Sequence, residues 1–238
     1  MRSLLALLLP LSPLLGATPS PPPADTSTNS PIRQISETLF EIGNIRFDKK
    51  HKTAQFETQV NMNKDLLEYA LVCKGGKTHE SLLQTRIEPS DLHVVMLLLG
   101  ATIAPPPPLS SSTNAQPWID SATLKKAPPL KGSPVTLSLQ WKSNGIEKNA
   151  RIEDWVLNKQ TGKPMEYARW VYNGSELIGS YFMAQRERSI AALVTDPFAL
   201  INHTGKGHDN DALWYANSNQ VPVVGTAVLL TIHLETPD

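Results

Sequence analysis

The sequence predicts a mainly β (α+β) protein: an antiparallel sandwich or barrel-like sheet with one buried helix near residues 90–100. Three observations predict it. Short β-rich runs alternate with turn residues along most of the chain. Asn-Gly pairs at Asn144-Gly145 and Asn173-Gly174 are the residues that favour turns matching strand twist. Only one segment, SDLHVVMLLLG, carries helix start and stop signals.

The chain opens MRSLLALLLPLSPLLGA, with Arg2, an apolar run from Leu4 to Leu15 and a small residue at Ala17. That layout reads as a signal peptide over residues 1–17, too short and too proline-interrupted to span a bilayer, which takes roughly 20 apolar residues. Residues 18–31, rich in proline, serine and threonine, read as a disordered tether. Residues 32–238 are then a single domain containing a proline-rich surface loop at 104–117. The expected localisation is exported, periplasmic or extracellular, with no transmembrane segment in the mature protein.

Within the domain, IRF and AQFETQVNM flank the polar turn DKKHK, a hairpin pattern. VTLSLQWKSNGIEKNARI and RWVYNGSELIGSYFMA each place an Asn-Gly turn between two strands, and SIAALV and GTAVLLTIHL are further strands. In the helix, Ser90 is read as the N-cap and Gly100 as the stop. Its faces are apolar almost all round, which predicts burial, with His93 held by a hydrogen bond.

The chain has 22 basic and 22 acidic residues, so it carries no electrostatic footprint for nucleic acid. Its single cysteine, Cys73, leaves no internal disulfide and reads as a small buried hydrophobe.

The stretch VCKGGKTHESLL is the most chemically suggestive. It is not a Walker loop, because Leu71 stands where the first glycine is needed. It is not a zinc-protease helix, because Leu83 replaces the second histidine. The remaining reading is a two-residue hairpin at Gly75-Gly76, with Cys73 facing Thr78. Strand alternation would then send His79 and Glu80 to opposite faces and leave Glu80 on the core side, in need of a partner. A second polar cluster, INHTGKGHDNDALW, gathers His203, His208, Asp209 and Asp211 without EF-hand spacing. Asn173-Gly174-Ser175 and Asn202-His203-Thr204 match the glycosylation acceptor pattern. The tryptophans form no stripe and read as core residues.

The order of LEYALV, GKTHESLL, LLLGA, IEDWVLNKQTGKPM, WVYNGS, DPFALIN and VPVVGTAVLLTI resembles the YdjY-like domain family of exported bacterial proteins, from about Phe40 to Leu234. The resemblance implies no established activity. Some relatives join the domain to iron–sulfur modules, but one cysteine cannot supply the thiolates of a cluster here.

Three functional readings follow. The first is a non-enzymatic module of the bacterial cell envelope that binds a small ligand or an envelope protein, with no cofactor. The second is a metal-binding or redox-associated protein whose divalent metal ion is held by His79, Glu80, His208, Asp209 and Asp211. The third is a hydrolase using Ser81.

Overall fold

The computed structural model of the protein describes residues 30–103, 129–167 and 170–235. The leader, nearly all of the tether and the proline-rich loop lie outside the described residues. Among those described, no helix is long and apolar enough to cross a membrane.

The strands in chain order are β1 (Ile32–Gln34), β2 (Leu39–Ile42), β3 (Ile45–Asp48), β4 (Thr53–Val60), β5 (Tyr69–Cys73), β6 (Ser81–Thr85), β7 (Ser133–Ser143), β8 (Ile146–Arg151), β9 (Val156–Asn158), β10 (Lys163–Pro164), β11 (Trp170–Tyr172), β12 (Leu177–Ile178), β13 (Tyr181–Phe182), β14 (Ser189–Ala192), β15 (Ile201–His203), β16 (Trp214–Ala216) and β17 (Ala227–Leu234). Helix α1 (Pro89–Leu98) follows β6, and the short α2 (Met183–Glu187) follows β13.

Eight strands close into a barrel in the order β4-β17-β7-β11-β15-β14-β5-β6, because β6 pairs back onto β4. The barrel form of the expected fold is therefore the one adopted. It is mixed rather than wholly antiparallel: β14–β15 and β5–β6 are parallel. Alternation fills the interior. Phe56, Leu230 and Leu139 stand in cross-strand register on β4, β17 and β7, as do Ala54, Ile232 and Leu137, and all six are buried. Each large side chain removed from water there contributes about 1.5–3 kcal/mol. Gln55, Glu57 and Gln59 take the opposite, outward parity on β4.

The β3–β4 and β7–β8 hairpins form as expected. Asn144 and Gly145 both take positive φ, +51° and +78°, the backbone that a twist-matched two-residue turn demands. The second Asn-Gly expectation fails. Asn173 and Gly174 leave the sheet, and the local hairpin pairs Leu177 with Phe182 around Gly179-Ser180. Asn173 is instead drawn inward, its Nδ2 donating to the carbonyl of Ala199 at 3.0 Å.

Helix α1 begins two residues before the expected Ser90 cap, with Glu88 at the N-cap and Pro89 in the first turn. Ser90 does not cap; its N–H donates to Gln185 Oε1 at 3.1 Å. The stop is as read. Gly100 takes φ +95°, its N–H donates to Leu97 O, and the N–H of Ala101 reaches Met96 O, both at 3.0 Å. Burial is one-sided, because Leu97 and Leu98 remain exposed while Leu92, Val95 and Met96 enter the core.

The glycine hairpin is the main correction. β5 and β6 run parallel, with Tyr69 opposite Ser81 and Cys73 opposite Thr85. Residues 74–80 carry the chain back along β5 and end in a 3-10 turn at Thr78–Glu80. Both strands find their hydrogen bonds elsewhere: β14 occupies the other edge of β5, and β4 takes the other edge of β6. Gly75 supplies φ +88°, and a Cβ on Gly76 would sit 3.0 Å from both the Cβ and the carbonyl oxygen of Arg188. The glycines thus serve a crossover packed against the start of β14.

Candidate functional site

Two short crossovers build the site. Residues 74–80 join β5 to β6, and residues 193–200 join β14 to β15. Parallel neighbours usually need a crossover of a dozen or more residues, commonly a helix. Strands of three to five residues can be returned by less, and the two compact loops meet beside Tyr69.

The Tyr69 hydroxyl donates to Asp196 Oδ2 at 2.8 Å. Lys77 Nζ donates to the Tyr69 hydroxyl at 2.5 Å and lies 4.0 Å from Asp196 Oδ2. Tyr69 is buried, and burial followed by the Asp196 charge pushes its phenol well above the usual tyrosine range. It is therefore a donor and not a base.

Asp196 is held from behind. Its N–H donates to Asn202 Oδ1, and Asn202 Nδ2 donates to its carbonyl, both at 2.8 Å. Asn202 Nδ2 also donates to Asn173 Oδ1 at 2.9 Å. The second carboxylate oxygen accepts the N–H of Phe198 at 2.9 Å. Asn173 and Asn202 are thus buried structural amides, which makes neither a glycan acceptor in the folded protein.

Glu68 joins the two loops through its backbone. Its N–H donates to Glu80 O, and its carbonyl accepts the N–H groups of Leu193 and Val194. Burial, and then the charges of Glu80 and Asp211, raise its carboxyl above the ordinary range, while Lys77 acts the other way. A third loop is tied in by His208, whose Nδ1 lies 2.8 Å from Thr195 Oγ1 and whose carbonyl accepts the Thr195 N–H at 2.7 Å.

The sequence-predicted residues fall around this centre. His79 and Glu80 do not diverge. The 3-10 turn brings His79 Nε2 within 3.6 Å of Glu80 Oε2, so the partner sought for Glu80 is its own neighbour. His79 is largely exposed, Asp209 is exposed, and Asp211 lies near enough to Glu68 to raise its pKa. The 79–80 and 208–211 segments therefore border the same carboxylate. Among the described residues, no three His, Cys, Asp or Glu side chains are grouped to hold a metal ion.

Other polar residues fall away from any chemistry. Ser81 is fully buried and its Oγ donates to Leu83 O at 2.9 Å, so it is no accessible nucleophile. Cys73 is buried, with burial pushing its thiol up to about 12. His93 accepts or donates at the Tyr172 hydroxyl, 2.7 Å away, as expected for a satisfied histidine. His203 is a β15 residue packed between Trp170 and Trp214, with ring centroids 5.5 and 5.6 Å away, and is no part of the acidic loop.

Sequence reasoning missed Tyr69, Asp196, Asn173 and Asn202 as a unit. They sit in LEYALV, DPFALIN and WVYNGS, short motifs whose convergence appears only once the barrel closes.

No match is found among the curated proteins or among the solved structures. A family model does match: the YdjY domain, over residues 45–233. That span runs from β3 almost to the end of β17 and takes in all but the last residue of the barrel and every residue of the site, so the chain belongs to the YdjY domain family.

Proposed function

We propose that this protein is an exported, non-enzymatic binding module of the bacterial cell envelope, and that the rim around Glu68 receives a cationic group of a small ligand or partner protein. One observation carries the reading: Glu68 is half-buried, and burial with the charges of Glu80, Asp211 and Asp196 raises its carboxyl, with Lys77 acting the other way. Crowded carboxylates are costly in the free protein, and a bound cation relieves that cost. Lys77 is engaged by Tyr69 and Asp196, and Ser81 is inaccessible, so the site holds no available nucleophile among these residues. The alternative, a divalent metal ion held by His79, Glu80, His208, Asp209 and Asp211, lacks a grouped set of three ligands among the described residues.

An NMR titration with spermidine and with a hexalysine peptide at low salt tests the proposal. Shifts should centre on Glu68, Lys77, Glu80 and Asp211, weaken as salt screens the charges, and disappear in Glu68→Gln. The same variant should stabilise the ligand-free protein at neutral pH, since it removes a crowded charge. Absence of saturable shifts with both probes would reject the cation site. Stoichiometric metal by elemental analysis, lost in Asp211→Asn, would replace it with the metal reading. The export proposal is tested by the mass of the protein recovered from the periplasm, expected to show cleavage after Ala17.

A further inference from the structure

A cation already sits beside the Glu68 rim, and it belongs to the protein itself. Lys77 ends the first crossover, just before the 3-10 turn Thr78–Glu80. Its ammonium lies over the Tyr69 ring, 4.8 Å from the centroid, and donates to the Tyr69 hydroxyl at 2.5 Å. Asp196 Oδ2 is 4.0 Å away, close enough for attraction and too far for a hydrogen bond. Among the described residues, the bond to Tyr69 is the one hydrogen bond that this ammonium makes, although it has further N–H groups to give.

The seat is fixed and its occupant is not. Tyr69 is a buried β5 residue. Asp196 is braced through its backbone by Asn202 and through Oδ1 by the Phe198 N–H. The Lys77 side chain, by contrast, is 39% exposed, against 11% for Asp196, and a lysine stem gains rotamer freedom when released. The Tyr69 phenol gives its proton to Asp196, so the oxygen that meets Lys77 can only accept. An aromatic face, a carboxylate and an accepting oxygen together suit a cation that carries N–H groups. Lys77 also leaves negative charge unmatched. The Asp196 charge raises the carboxyls of both Glu68 and Glu176, so both lie within its reach, and Glu80 and Asp211 act on Glu68 as well. A single ammonium cannot neutralise them all.

We infer, resting on the cation-receiving reading of the rim, that Lys77 is a built-in competitor for that site. Its ammonium holds the place of the ligand's, and the ligand's head is a primary ammonium on an unbranched chain, like the one that it displaces. On binding, the Lys77 side chain turns to solvent, and the incoming ammonium takes the Tyr69 oxygen and Asp196. The contact is autoinhibitory, because a ligand binds only in the fraction of time that the seat stands free. A lysine seated for about nine-tenths of the time weakens the ligand about tenfold.

NMR titration of the parent and of Lys77→Ala with n-butylammonium tests the inference, set against tetramethylammonium, which has the same charge and no N–H. At about 0.15 M salt, n-butylammonium should bind Lys77→Ala saturably and about tenfold or more tighter than it binds the parent, with shifts centred on Tyr69 and Asp196. Tetramethylammonium should gain several-fold less. Adding Tyr69→Phe to Lys77→Ala should remove most of the gain, and cooperative melting of each variant shows that it folds. An equal gain for both cations would mean that only a repelling charge had been taken away, and would overturn the inference. A folded Lys77→Ala that binds n-butylammonium no better than the parent would overturn it too, as would a gain that survives in the folded double variant. Spermidine separates this outcome from failure of the rim itself. Equal binding of spermidine to the parent and to Lys77→Ala removes the competitor and leaves the rim standing, whereas no binding to either rejects both.

Discussion

Tyr69 and Asp196, 127 positions apart in the chain, are joined by a 2.8 Å hydrogen bond that ties the start of β5 to the β14–β15 crossover. Lys77 closes the group from the first crossover, and Asn202 on β15, paired with Asn173 after β11, supports it from behind. The hydroxyl of Tyr69 therefore links the two parallel strand pairs, β5–β6 and β14–β15, through Lys77 and Asp196. Tyr69→Phe should destabilise the protein by about 1–2 kcal/mol, since Lys77 can move towards Asp196. Asp196→Ala should cost more, about 2–4 kcal/mol, because it removes the acceptor of both the buried Tyr69 hydroxyl and the Phe198 N–H, while the Asn202 bonds to the Asp196 main chain stay. Urea unfolding of both variants and of the double variant should give non-additive losses; additive losses would show that the two residues act apart.

Glu153 is fully buried on the 3-10 turn Ile152–Trp155. Arg151 grips it at 2.6 and 3.2 Å, and Trp170 Nε1 donates to it at 3.1 Å. Arg151→Ala leaves a buried carboxylate with only the indole donor, and should cost about 3–5 kcal/mol. Glu153→Gln keeps a hydrogen-bond acceptor in place and should cost less. Chemical denaturation of the two variants checks the order; equal losses would point to packing by the Arg151 stem as the main contribution.

Stability should fall as the solution is acidified from neutrality. Burial holds His203 neutral, lowering its pKa to about 4 from 6.5. Above pH 6.5 the ring is neutral in both folded and unfolded chains, and the stability is fully present. Between about 6.5 and 4 the unfolded chain takes up a proton that the folded chain refuses, so stability drops, by about 3 kcal/mol in total. Below about 4 this contribution is exhausted. Burial lowers His93 and His233 as well, which adds to the slope. Burial raises Glu68, Glu176 and Asp91, and their uptake of protons on folding opposes it near the carboxylate range. Urea midpoints measured from pH 7 to 4 should decline in the parent and flatten in His203→Asn; identical slopes would remove His203 as the cause.

Ser189 carries the one buried side-chain oxygen without a hydrogen-bond partner among the described residues. An unsatisfied hydroxyl in a dry core costs free energy, and its removal costs little packing. Ser189→Ala should leave the melting temperature unchanged or raise it, by up to about 1 kcal/mol in stability. A clear loss by calorimetry would mean that the hydroxyl has a partner in solution.

The paired glycines are not interchangeable in their roles. Gly75→Ala places a side chain at φ +88° and should cost about 1–2 kcal/mol. Gly76→Ala presses on the Arg188 backbone and should loosen the contact between the first crossover and β14. Hydrogen exchange at the Cys73 N–H, which donates to Arg188 O at 2.8 Å, reports on that contact. Faster exchange is expected in Gly76→Ala, and unchanged exchange would show that Arg188 yields freely.

Much of this protein is determined by its sequence alone, wherever short-range physics decides. Asn144-Gly145 needs only its own backbone preference to turn the chain. Gly100 ends a helix through carbonyls three and four residues away. Alternation on β4 and β17 marks an inner and an outer face without reference to any partner. Only the tertiary structure decided which strand lies beside which. Gly75-Gly76 permits a hairpin locally, but β14 and β4 compete for the same edges and turn the link into a parallel crossover. That choice swings His79 towards Glu80 and gathers Tyr69, Lys77 and Asp196 from distant motifs. The reason is physical: backbone torsions and side-chain parity are properties of neighbours along the chain, whereas edge pairing is a contest among strands far apart in it, settled by which closed barrel leaves fewest hydrogen-bonding groups unmet.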